Sequence, residues 1–186
     1  DKANPEIIIQ VNSGAIWNTR GDRTPSPTEY DLESVFIHEL GHGLGFLSND
    51  AYDPFFGLGS LDQPTPYDAY LQTTDGRRLA DLPTPSKELG IALTSSLVWS
   101  GPLGVKANGG IKPKMYTPSR YESGSSTSHL DEATFSKSDL DSLMTPSLDP
   151  GEVFREPGPL LLAMMEDMRN KPPAGVATDL PQSPRN

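Results

Sequence analysis

Apolar residues at positions 32, 35, 36 and 40 (Leu32, Val35, Phe36, Leu40) fall on one face of a helix, and the same run carries on through His38 and His42. Thr28 is placed to cap this helix, Glu29 and Asp31 suit the positive end of its dipole, and the glycines at 43 and 45 predict its end. A second helix is predicted over residues 85–97 from Leu89, Ala92, Leu93 and Leu97. A third is predicted over residues 156–169, with Pro159 near its first turn and Leu160, Leu161, Met164, Met165 and Met168 as its apolar set. Those methionines read as core filler rather than as ligands.

Alternation with a period of two predicts the strands. Residues 6–12 are β-branched, with Ile7, Ile9 and Val11 on one face. Residues 67–72, followed by Asp75-Gly76, predict a short strand and a hairpin turn. Residues 14–27 read as an exposed turn-rich loop, 48–66 as irregular, and 100–128 as another Gly, Pro and Ser rich stretch. From Lys171 onward the prolines at 172, 173, 181 and 184 predict a disordered tail or linker. The pattern divides the chain into one domain over residues 1–170 and a tail over residues 171–186, with no internal repeat.

Composition narrows the class. A chain of 186 residues can bury a core and form one unit with two lobes about a cleft, and 19 prolines with 17 glycines at 34% hydrophobic content predict a loop-rich protein rather than a bundle. The net charge of −10 argues against nucleic acid and anionic membrane as partners. With no cysteine, any metal must be held by nitrogen and oxygen. No apolar run approaches a membrane span, and the first residues lack the charged and apolar regions of a signal peptide, which suits a mature secreted form, a trimmed chain or a cytosolic protein alike.

The chemistry is concentrated in His38-Glu39-Leu40-Gly41-His42, an HExxH motif extended by Gly45 and Phe46. Four residues apart on a helix, the two imidazoles lie one turn above the other and can reach one ion. His129 is the one remaining histidine of three and the natural third ligand. Such a site reads as one catalytic zinc with an open position for water, where Glu39 serves first as base and then as acid in peptide hydrolysis. A chance coincidence of two histidines and a glutamate is the bland alternative, opposed by the scarcity of histidine and by Gly45.

Asp50, Asp53, Glu122, Asp131 and Glu132 compete for the third ligand position, though Asp131 and Glu132 read better as solvated groups or as partners orienting a histidine. Acidic loops such as residues 50–53 could take calcium, but surface aspartates are more often solvated and no calcium site is assigned. A non-catalytic zinc-binding domain, or a zinc hydrolase acting on a non-peptide amide, are the rival functions. Glu39 argues against the first, since a pure metal-holding site has no need of it. Substrate-binding residues, specificity and oligomeric state are not legible.

HELGHGLGF, a later histidine and Ser142-Leu143-Met144-Thr145-Pro146 together resemble the metzincin metallopeptidases. The resemblance implies that Gly45 lets the chain turn sharply after the second ligand and that Met144 sits in a tight turn beneath the metal. Compact metzincins place the third ligand where this chain has Ser48, whereas the order His42, Gly45, long insertion, His129, Met144 is similar to the leishmanolysin-like branch. It implies an α+β fold with a small mixed sheet, a strand at residues 7–11 bordering the cleft, and a helix from residue 156 after the methionine turn; if that strand rims the cleft, residues 147–150 would help wall the pocket beyond the scissile bond. It also implies secretion and protein or peptide substrates. Only about 28 residues precede the metal-bearing helix, too few for a backing helix and a multistranded sheet, so the domain is read as N-terminally incomplete or its sheet as reduced.

Overall fold

The protein is described here by a computed structural model covering residues 5–21, 24–136 and 139–170. Among these are four α-helices, α1 (Leu32–Gly43), α2 (Lys87–Leu93), α3 (Pro102–Ala107) and α4 (Pro159–Arg169). Six strands of two or three residues form three separate pairs. β1 (Trp17–Asn18) runs parallel to β2 (Tyr30–Asp31), while β3 (Ala51–Asp53) with β4 (Leu58–Ser60), and β5 (Leu71–Thr73) with β6 (Leu97–Trp99), are antiparallel. The fold is α+β, but the single mixed sheet expected from the sequence is replaced by these three ribbons. Isolated bridges extend two of them: Val98 of β6 pairs with Lys114, Met115 pairs with Leu130, and Gly59 of β4 pairs with Ser86.

The helix carrying HExxH starts later than predicted. Asp31, not Thr28, is its cap, accepting from Ser34 N at 3.0 Å and Ser34 Oγ at 2.7 Å. Asp31 is fixed in that role by Asn18 Nδ2 at 3.0 Å and by both terminal nitrogens of Arg155. Glu29 instead closes its own turn, accepting from Ser26 N at 2.8 Å and Arg20 at 2.7 Å.

The other elements also differ in extent. α2 is capped by Ser86 and stops at Leu93, because Leu97 pairs with Thr73 in β6. α4 opens at Pro159, with Asp141 accepting from Leu160 N at 2.8 Å in place of a side-chain cap. Asp68–Tyr70 is a 3-10 turn, and only Leu71–Thr73 of the predicted strand is extended, although the chain does reverse at Gly76. The stretches read as loops contain β1, the β3–β4 hairpin and α3. Residues 7–11 join no sheet among the described residues: Ile7 lies on Gly43 of α1, where a Cβ would sit 2.9 Å from its side chain, while Ile8 and Val11 are exposed. The predicted tail at 171–186 lies outside the described residues.

The core is aromatic at its centre. Tyr67 packs edge-on against Phe46 with ring centroids 4.9 Å apart and tilts against Trp99 at 5.2 Å, which in turn meets Tyr70 at 5.0 Å. Phe46, Tyr67 and Trp99 are wholly buried, each worth on the order of 2–3 kcal/mol in apolar area. Glycines permit the closest approaches: at Gly90 in α2 a Cβ would fall 2.3 Å from Gly57 O, in the turn between β3 and β4. Phe46 thereby links the end of α1 to the core and holds the metal motif to the body of the domain.

Candidate metal centre

α1 presents His38 and His42 one turn apart, and the loop ending at residue 129 brings His129 to them across the fold. Their Nε2 atoms converge, with 3.0 Å between His38 and His42, 3.1 Å between His42 and His129, and 3.3 Å between His129 and His38. The other ring nitrogens all face backbone carbonyls: His38 Nδ1 meets Leu143 O at 2.7 Å, His42 Nδ1 meets Phe46 O at 2.8 Å, and His129 Nδ1 meets Ser125 O at 2.8 Å. A carbonyl only accepts, so each Nδ1 carries the hydrogen and donates it. In a neutral imidazole the Nε2 then presents a lone pair. Three lone pairs aimed at one another at about 3 Å repel unless a cation sits among them, so the three histidines form a group that could hold a metal ion.

Burial favours the neutral form of His38 and His129. It pushes His129 down to about 3, with the adjacent imidazoles adding to the shift against the opposing Ser125 carbonyl. It also lowers His38, against the opposing influence of the Leu143 carbonyl and the nearby Glu39 charge. Neutral imidazole is the form that binds metal.

Local sequence explains each carbonyl. α1 ends with Gly45 N donating to His42 O and Phe46 N to Gly41 O, both at 3.0 Å, the double closure of a Schellman motif. The motif needs a residue of positive φ, and Gly45 has φ +112° with nothing within 4 Å of where a Cβ would stand, so the backbone rather than crowding demands glycine. The reversal returns Phe46 O to the His42 ring. Beneath the helix, Ser142–Met144 is a 3-10 turn that offers Leu143 O to His38. Met144, wholly buried, packs on Gly41, where a Cβ would meet its Sδ at 3.0 Å. Its carbonyl also accepts from Leu130 N at 2.8 Å, tying the methionine turn to the segment just after His129.

Glu39 is exposed beside His38 and makes no hydrogen bond with the described residues. The carboxylates weighed as ligands lie elsewhere: among the described residues only the three histidines form a group that could hold a metal ion. Asp53 closes a turn onto Phe55 N and Phe56 N, Glu122 accepts from Tyr116 OH, and Asp131 pairs with Lys114 at 3.2 Å. Asp131 does not orient His129, since Ser125 O does. Ser48 bridges Asp50 and Asp68 with 2.6 Å contacts to each. What the sequence hid were the carbonyls of Phe46, Ser125 and Leu143, since any residue type supplies one.

No protein-family model, no curated protein and no solved structure matches the chain significantly. Among the described residues no helix is long and apolar enough to cross a membrane.

Proposed function

We propose that the protein is a zinc-dependent endopeptidase of metzincin type with the leishmanolysin-like order of ligands, secreted and acting on proteins or peptides. The observation that carries this reading is the convergence of three Nε2 lone pairs from His38, His42 and His129. Bonds of about 2.0–2.1 Å at tetrahedral angles put zinc-bound nitrogens about 3.3 Å apart, close to the 3.0–3.3 Å separations found. An all-nitrogen set of three suits a catalytic rather than a closed structural site.

When bound, zinc supplies Lewis acidity, polarising a carbonyl and lowering the pKa of water toward about 7. The chain's own part is to aim three imidazoles, through the carbonyls of Leu143, Phe46 and Ser125. Glu39, exposed one residue from His38, takes the proton from the attacking water and hands it to the leaving amine. Gly45 and Met144 support the reading by turning the chain after His42 and by filling the space beneath α1. A zinc-binding domain without activity would leave the exposed Glu39 without a task. The test is casein hydrolysis after removal of metal with a chelator: the reading expects cleavage to vanish and to return with one equivalent of zinc, and cleavage indifferent to the chelator would exclude it.

A further inference from the structure

The loop that carries His129 is held by a polar network that metal binding alone does not explain. Thr127, two residues before the ligand, is wholly buried and has φ +67°, a conformation that β-branched residues avoid because Cβ crowds the backbone. Three contacts keep it there. Its N–H donates to Tyr116 O at 2.8 Å, its carbonyl accepts from Tyr67 OH at 2.7 Å, and its hydroxyl hydrogen-bonds to Asp50 Oδ2.

Asp50 gathers more than this. Oδ1 accepts from Tyr121 OH at 2.5 Å, and Oδ2 also meets Ser48 Oγ at 2.6 Å. Ser48 Oγ lies equally near Asp68 Oδ1 at 2.6 Å. Burial raises Asp68 against the bonds it accepts from Ser48, Thr65 and Asn49. Ser48 N donates to Ser128 Oγ at 3.1 Å, so the segment following α1 grips both residues that precede His129.

We infer that Asp50 is a positioning residue for the third metal ligand: by holding Thr127 in its left-handed conformation it sets where the His129 ring points. The inference rests on the metal-site reading above. Beyond the ligand the backbone is pinned independently, with His129 O accepting from Tyr116 N and Leu130 N donating to Met144 O, both at 2.8 Å. The freedom to misplace His129 therefore lies upstream, at residue 127. His38 and His42 ride on α1 and do not share it.

The experiment measures zinc affinity by competition with a chromophoric chelator, and the visible spectrum of the cobalt(II)-loaded protein, for the parent chain, Asp50→Ala, Thr127→Val and the double variant. Each single variant is expected to bind zinc about 10–100-fold more weakly, with the cobalt spectrum displaced toward that of a site lacking one imidazole. The double variant should be no weaker than the weaker single, because both break the same contact. Asp167→Asn is the structural control, since Asp167 is buried and joins α4 to Trp99 Nε1 and to the N–H groups of Leu103 and Gly104. It should lower thermal stability without moving zinc affinity or the cobalt spectrum. If Asp50→Ala fails to fold, Thr127→Val carries the same test. Zinc affinity within twofold of the parent in the variants that fold, or an equal loss in Asp167→Asn, overturns the positioning role, and a parent that binds no zinc overturns it together with the metal site. Zinc bound without casein cleavage counts against the peptidase alone.

Discussion

The His42 ring is oriented by its own chain four residues further on, Nδ1 donating to Phe46 O at 2.8 Å. The geometry follows from the end of α1, where Leu44 is the C-cap and Gly45 takes φ +112°. One glycine thus terminates the helix, sends Phe46 into the core beside Tyr67 and aims the His42 ring. Helix capping and the aim of the His42 ring come from the same piece of backbone.

Replacing Gly45 with alanine should therefore damage both. Open space surrounds the position, so the penalty is the positive φ alone, about 1–2 kcal/mol. The midpoint of thermal unfolding should drop by roughly 2–8 °C, read by circular dichroism, with zinc affinity lowered in step. An unchanged midpoint would mean that the turn accommodates a side chain.

Loading with zinc should stabilise the fold, because ligands drawn from α1 and from residue 129 are brought together only in the folded state. At a hundredfold excess over the dissociation constant the gain is about 2.7 kcal/mol, or roughly 5–10 °C. A chelator should reverse it. In His129→Ala, zinc affinity should fall by at least about 100-fold, more than for loss of an orienting partner, and zinc-induced stabilisation should shrink accordingly. Calorimetric scans of both proteins with and without zinc decide this, and an equal rise in the variant would remove His129 from the ligand set.

Acid should loosen the start of α1. Burial works against the charge of Asp31, but hydrogen bonds from Arg155 and Ser34 outweigh it and hold the carboxyl at about 2, below its ordinary 3.8. The unfolded chain takes up the proton more readily, so this contribution is complete above about pH 4 and is lost as pH falls through about 2. It amounts to about 2 kcal/mol at neutral pH. Denaturant unfolding of the parent and Asp31→Asn should differ by that amount at pH 7 and converge near pH 2, and a gap constant with pH would contradict the assignment.

How much of this was legible depended on whether the cause was local. Periodicity found α1 and the paired histidines because residues four apart on a helix share a face, and His129 stood out by residue type. The start of α1 was misplaced because Thr28 and Asp31 are both plausible caps, and the choice falls to Arg155, 124 positions away. Helix α2 was overextended because Leu97, in helical register with Leu93, also suits a strand, and the pairing of β5 with β6 claims it. Helix α3 is six residues opened by Gly101-Pro102 and held by the Asp167 carboxylate of α4, a tertiary cause with no local mark. The β-branched run at residues 7–11 has strand propensity without a partner strand among the described residues.

The most direct test of the account is the behaviour of Glu39→Gln, assayed for casein cleavage beside its zinc content. The account predicts one zinc per chain in parent and variant alike, with cleavage by the parent abolished in the variant, because the three imidazoles hold the ion and Glu39 moves the proton. Cleavage retained in Glu39→Gln, or a parent chain that binds no zinc, would contradict it.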